Sequence, residues 1–389
     1  MSHEEAILLA IISCGAFVIP LISNRLFLPS AVGEIIFGLI LGLFFKEGTQ
    51  GIPTIRFLSE LGFIILMYLA GMEIDFHNIA RTGGRDRFIY ISLFVVIILC
   101  SFYVRSSLHQ PLLYTLVYLT SSIGLLVPVL KDTGLLNQDA GQRFLVIGSI
   151  GEIISLAAIT LFSLYFRSGI STNSFISLFE IFCFFIICYL ILKIFRLYIW
   201  WNPLQIGAFI KTGDPFESGI RANFVNLFVF VSLATILGVE SIVGAFLGGM
   251  LFALIFPGRE EIIEKMNSFG YGFLVPLFFI GVGLRFDIRD FFNMEVIYPA
   301  VLIAGIIFLV RSIGSLVFIF SKIPLKQSIL IPCSLSFPLT LLIAIATLGL
   351  EIRVIGNADA MIIILAAIVS ALVYPWTFKL LVKTVLTKT

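Results

Sequence analysis

Charge is what this chain has least of. Asp, Glu, Lys and Arg make up 12% of its residues, about half the share of a soluble globule, while 59% are hydrophobic and the mean hydropathy is +1.11. That balance excludes an ordinary water-soluble domain. The formal net charge is only +2, and the basic residues are scattered through loops, so the footprint of a nucleic-acid binder is missing. Histidine is scarcer still: His3, His77 and His109 all fall in tails or loops. With no HExxH pair, no nucleophile elbow and no set of intramembrane catalytic aspartates, the sequence argues against an enzyme and implies no cofactor. Cys14, Cys100, Cys183, Cys188 and Cys333 lie in apolar stretches without ligand spacing and read as small core hydrophobes. The N-terminus, Met1 to Glu5, is acidic where a signal peptide is basic, so the first apolar segment is expected to stay in the protein.

Long apolar runs are what the chain has most of. Bounded by charges, Gly and Pro, they predict spans near 6–23, 31–45, 58–73, 88–104, 112–130, 144–166, 175–199, 220–237, 242–256, 269–284, 297–321, 328–350 and 360–386. The run at 31–45 is short of the roughly 20 residues that cross the hydrocarbon core, so it must be tilted little, extended by its Pro29 flank or buried against protein. With the N-terminus outside, the inside loops and the C-terminus carry 17 of the 25 Lys and Arg residues and the outside ones 7, membrane-buried Arg311 accounting for the last. The excess predicts an external N-terminus and a cytoplasmic C-terminus, with Arg81, Arg85 and Arg87 the clearest inside marker.

The chain also resembles itself. Gly33-Glu-Ile-Ile-Phe-Gly38 answers Gly244-Ala-Phe-Leu-Gly-Gly249, and Phe63 to Gly71 answers Phe273 to Gly281, each of the latter pair followed by an acid, Asp75 or Asp287. The displacement covers seven spans. Because seven is odd, equivalent helices run in opposite directions, the mark of an inverted-topology repeat. The organisation expected is a first half over 1–170, a linker helix and loop over 171–215 and a second half over 216–389.

The fifth span of each half carries helix-breaking chemistry: Thr120-Ser121-Ser122-Ile123-Gly124 with Pro128 in one, and Pro332 to Thr340, including Ser336 and Pro338, in the other. Proline removes a helix hydrogen bond, and Ser and Thr hydroxyls can satisfy the freed groups. Two simple kinks would need no more than that. Two unwound helices crossing at the midplane would instead aim free carbonyls and half-helix ends at one spot, suited to a small dehydrated cation.

Two charges stand near the middle of apolar segments, Glu152 and Arg311. Either costs roughly 2.5–3.5 kcal/mol at the centre of a spanning helix, so each needs a partner or an aqueous path. A carboxyl taken out of water holds its proton more firmly, so Glu152 is a candidate to bind a proton or a metal cation. Its neighbours Gly148, Ser149 and Gly151 are small enough to leave room beside it. A buried Glu152–Arg311 pair holding two helices together is the plainer alternative. Glu34, Glu60, Glu73 and Glu180 fall nearer span ends and read as interfacial.

At this point the chain resembles a family, the monovalent cation:proton antiporter 2 family of Kef-type and Na+/H+ antiporters. The phrases Leu28 to Gly42 (LPSAVGEIIFGLILG), Leu58 to Asp75 (LSELGFIILMYLAGMEID) and Pro276 to Leu284 (PLFFIGVGL) carry the resemblance. It implies an all-α polytopic membrane protein of about thirteen helices, with a dimerisation domain and a core domain in which two broken helices cross beside an ion-binding carboxylate. It implies a homodimer in the bilayer. Many members carry an acid, Asn or Gln before the binding acid; here the place reads Gly151-Glu152. Carried over residue by residue, Glu152 resembles the cation- and proton-binding acid, Thr120, Ser121 and Ser122 the first crossing, Ser336, Pro338 and Thr340 the second, and Arg311 the basic residue of the core helix. A single acid implies one-for-one, electroneutral exchange. Many Kef-type relatives append a nucleotide-binding domain after the last helix; the sequence ends at Thr389, and none is expected here.

The reading that follows is a secondary antiporter in an inner membrane, exchanging Na+ or K+ for H+ at Glu152 by alternating access, with no resident metal. A sodium-coupled symporter of a small organic anion could use the same architecture, and a non-transporting sensor could have lost exchange with the Gly151-Glu152 departure.

Overall fold

A computed structural model describes residues 3–26, 28–45, 53–74, 76, 82–136, 138–168, 217–237, 240–256, 260–286, 289, 293–321 and 323–385, with scattered positions between 179 and 197. Among these every regular element is helical. In chain order they are α1 (His3–Arg25), α2 (Ser30–Phe45), α3 (Pro53–Met72), α4 (Gly84–Ser107), α5 (Leu113–Leu119), α6 (Leu126–Asp132), α7 (Asp139–Ser168), α8 (Ser218–Ile236) and α9 (Ser241–Ile255). Then α10 (Glu260–Phe269) runs through one π turn, Gly270–Leu274, into α11 (Val275–Leu284). After α12 (Met294–Ser315) and its 3-10 extension to Phe320 come α13 (Leu325–Ser328), α14 (Leu330–Leu335), α15 (Leu339–Glu351) and α16 (Asn357–Val385).

Nine stretches among the described residues are long and apolar enough to span a membrane, and two more, α2 and α9, are shorter apolar helices. With the interrupted α5–α6 segment they answer the predicted spans, except 175–199, which lies largely outside the described residues together with Glu180, Asp75 and Asp287. Large apolar side chains remain uncovered: Phe17, Phe44, Tyr103 and Ile236 are 74%, 75%, 75% and 78% exposed. An apolar surface of that kind needs lipid around it, and the chain is a multi-pass membrane protein.

The helices fall into two compact units that do not follow the halves of the sequence. One comprises Met1–Ser23, Gly33–Phe76 and Ser163–Arg285, the other Asn24–Val32, His77–Phe162 and Phe286–Thr389. Each therefore takes helices from both halves.

In the first unit, glycines let backbones touch. A side chain at Gly38 of α2 would strike the Ile280 carbonyl and come within 3.0 Å of Gly283 Cα in α11, and one at Gly283 would reach Leu39 N at 2.8 Å. At the other crossing, Gly71 of α3 lies against the Phe246 carbonyl and Met250 N of α9, and Gly249 lies against the Tyr68 carbonyl and Met72 N. Gly38 and Gly249 are equivalent in the repeat, and so are the segments they meet. Such reciprocal contacts follow from a pseudo-two-fold relation, and small residues at a crossing are how helices associate in lipid. They also show how the 16-residue α2 is accommodated, by packing on protein. Glu34, in the second turn of α2, is only 2% exposed. Glu60 is exposed and paired with Arg56 at 2.8 Å. Among the cysteines Cys333 is buried, whereas Cys14 is exposed, on the outward face of α1.

One polar network ties this unit. The Tyr68 hydroxyl, fully buried, donates to Asn223 Oδ1 at 2.8 Å and accepts from Asn226 Nδ2 at 3.0 Å, which also donates to the Gly248 carbonyl. The three helices α3, α8 and α9 are pinned at one point. Tyr68→Phe strands Asn223 Oδ1 and should cost about 1–3 kcal/mol; thermal unfolding in detergent measures it, and an unchanged melting temperature would mean the network adds nothing.

Candidate functional site

The second unit contains both broken segments. The first helix stops at Leu119 because Thr120 turns extended (φ −58°, ψ 129°), and its hydroxyl donates back to the Leu116 carbonyl at 2.6 Å. Residues 120–125 are unwound until α6 starts at Leu126, with Pro128 in its first turn, where a missing N–H costs little. The second break falls at 336–338. Pro338 (φ −81°, ψ 59°) immediately precedes α15, and Ser336 Oγ donates to the Pro332 carbonyl at 2.6 Å.

Glu152 is fully buried in α7. Ser122 Oγ donates to its Oε1 at 3.0 Å and the main-chain N–H of Ile123 to its Oε2 at 3.3 Å. Ser122 Oγ also lies 3.4 Å from Thr340 Oγ1 in the first turn of α15. The carboxylate, the first break and the start of the second half-helix therefore meet. The Ser121 hydroxyl in the same unwound strand is buried without a hydrogen-bond partner among the described residues. Of the predicted residues, Ser122 reaches Glu152 and Thr340 reaches Ser122, Ser121 lies on α7 against Gly151 and Ser155, and the Thr120 and Ser336 hydroxyls are turned onto their own helices.

The room expected beside Glu152 is filled. A side chain at Gly148 would meet Ile123 Cγ2 at 2.7 Å, and one at Gly151 would meet Phe94 Cζ at 2.5 Å and Ser121 Cβ at 2.9 Å. The glycines thus let the unwound strand lie directly on α7. Ser155, which the sequence reading did not single out, holds it there: it accepts from the Ser121 N–H at 2.9 Å and donates to the Gly151 carbonyl at 2.7 Å. The signal was its position three residues after Glu152, on the same face of the helix.

Arg311, 1% exposed in α12, is occupied by main-chain carbonyls. Nε donates to Leu335 at 2.7 Å, Nη1 to Tyr118 at 3.1 Å and Ile307 at 2.9 Å, and Nη2 to Thr120. Tyr118 and Thr120 end the first half of one broken helix and Leu335 ends the first half of the other. Helix C-termini carry partial negative charge, so one guanidinium neutralises two of them. The buried charges divide the work: Arg311 holds the C-terminal ends, and Glu152 accepts donors from the strand beyond the first break.

Among the described residues no three of His, Cys, Asp and Glu come together as a metal site. One carboxylate flanked by hydroxyls is an oxygen donor set of low charge, suited to a monovalent cation as cargo.

Known proteins resemble this chain along most of its length. The family described as Sodium/hydrogen exchanger, transmembrane, matches residues 12–384. YjbQ of Bacillus subtilis (strain 168), a protein named for Na(+)/H(+) antiport, is 30% identical over 98% of this chain, which spans 64% of YjbQ's length. A Na(+)/H(+) antiporter of Enterococcus hirae is 23% identical, with 94% of each chain covered. The sodium proton antiporter MjNhaP1 from Methanocaldococcus jannaschii superimposes with a TM-score of 0.67 over 97% of this chain and 98% of its own, at 18% identity, so the two share a fold. On the family match, this chain belongs to the transmembrane sodium/hydrogen exchangers.

Proposed function

We propose that the protein exchanges a monovalent cation, Na+ or K+, for a proton by alternating access, the two competing for Glu152. The observation that carries the reading is the buried Glu152 carboxylate, gripped at 3.0 Å and 3.3 Å by an unwound strand whose Ser121 hydroxyl has no partner among the described residues. Ser121, Ser122 and Thr340 supply neutral oxygens to the cation; Thr120, Ser336 and Pro338 shape the two breaks; Arg311 fixes their ends. With Gly151 in place of a second acid, the site is neutral whether it holds H+ or a cation, so exchange is one for one and moves no net charge.

The names of the relatives support Na+ as cargo. The repeat over 1–170 and 216–389, joined by 171–215, is supported by the reciprocal glycine crossings. An external N-terminus in a cell inner membrane is supported by the Lys and Arg excess in inside loops, and a homodimer by the family resemblance.

The test is cation-dependent collapse of an imposed pH gradient in proteoliposomes, titrating Na+ and K+ separately with and without a voltage clamp. Voltage-independent collapse is expected; anion-dependent sodium uptake without proton movement would point to symport instead. In the same assay Ser121→Ala should raise the cation KM. A neutral ligand to a charge is worth about 1.5–3 kcal/mol, roughly tenfold or more, and an unchanged KM would remove Ser121 from the site.

A further inference from the structure

We infer that Phe94 determines the specificity of the site: its ring occupies the place of a side chain at position 151, so that the site holds one carboxylate and has a dry wall beside it. The inference rests on the exchange reading above and adds a residue which that reading does not use.

The geometry is local to the second unit. Phe94 projects from α4 and is 1% exposed. Its Cζ and Cε1 lie 2.5 Å and 2.7 Å from where a Cβ at Gly151 would stand, and Ser121 Cβ closes the same place at 2.9 Å. Distances this short admit no extra carbon unless something shifts, and the ring has little freedom to do so. It belongs to one buried apolar cluster with Leu93, Ile97, Ile123, Leu126 and Ile147, and packed interiors resist displacement. Ser155 fixes the other side, because its hydrogen bond to the Ser121 N–H keeps the strand on α7.

Two consequences follow. No second acid can stand at 151 while Phe94 is present, so only one titrating carboxylate is available there. Position 151 is also closed by an aromatic ring in place of water, so a cation bound at the neighbouring Glu152 must surrender more of its hydration shell on that side. Such a site favours the smaller cation, Na+ over K+.

Exchange and melting are compared for the wild type, Phe94→Ala, Gly151→Ala, the Gly151→Ala/Phe94→Ala double variant, and Gly151→Asp in the Phe94→Ala background. Phe94→Ala should keep exchange but lower the preference for Na+ over K+ by roughly tenfold, the scale on which a pocket discriminates by size. Gly151→Ala should lower the melting temperature by more in the wild type than in the Phe94→Ala background, where only the Ser121 Cβ contact is left, a coupling that independent sites lack. Gly151→Asp with Phe94→Ala should make exchange voltage-dependent: two carboxyls carry two protons one way and one cation the other, so each cycle moves one net charge. An unchanged Na+/K+ ratio in Phe94→Ala, or the same melting shift from Gly151→Ala in both backgrounds, would overturn the inference. Phe94→Leu serves for both readouts if Phe94→Ala does not fold. Wild-type vesicles without exchange would overturn the functional reading instead, and the melting coupling would still decide the role of Phe94.

Discussion

Glu152→Gln abolishes cation-dependent proton movement in proteoliposomes and leaves the protein folded. The amide keeps the shape of the carboxylate, and its carbonyl oxygen can still accept from Ser122 Oγ, which now reaches Glu152 at 3.0 Å. What it cannot do is titrate, or lend a full negative charge to a cation. A neutral amide costs less to bury than an ionised carboxylate, so the variant should melt no lower than the wild type. Exchange should fall to the level of protein-free vesicles. Retained exchange would place the proton and the cation elsewhere.

Arg311→Ala should be the most destabilising single change. The guanidinium satisfies the carbonyls of Tyr118, Thr120 and Leu335 in a fully packed setting. Removing it leaves acceptors at two broken helix ends without their donor, at about 1–3 kcal/mol each, and their partial negative charges facing one another. A loss of about 3–5 kcal/mol is the scale seen when one side of a buried charged contact is removed. Transport should fall with it, because the strand carrying Ser121 and Ser122 starts from the Thr120 end. Arg311→Lys should recover only part of the stability, since a single ammonium cannot reproduce a planar fork that bonds Leu335, Tyr118 and Thr120 together. Wild-type melting in Arg311→Ala would show that these carbonyls find water instead.

The spans, the breaks and the two buried charges were legible in the sequence because each is a local contrast. Glu152 and Arg311 are conspicuous in apolar runs, and Pro128, Pro332 and Pro338 stand beside Ser and Thr residues that can satisfy an interrupted helix. What Arg311 bonds was not legible, because the choice between a carboxylate and main-chain carbonyls depends on which half-helix ends are brought together. Gly151 could be read as small but not as packed: the Phe94 ring that fills its place comes from a helix more than fifty residues earlier in the chain. The two compact units were hidden as well, since each draws on both halves of the repeat and pattern along the chain reports only the halves.

The central claim is that one carboxyl group, that of Glu152, holds either the proton or the cation. Proton release on Na+ binding to the purified protein in weakly buffered detergent solution tests it most directly, with pH-indicator absorbance and calorimetry read on one sample beside Glu152→Gln. The account predicts one proton released for each Na+ bound at a pH where the site is protonated, and no release from the variant. Na+ binding without proton release, or equal release from both proteins, would contradict it.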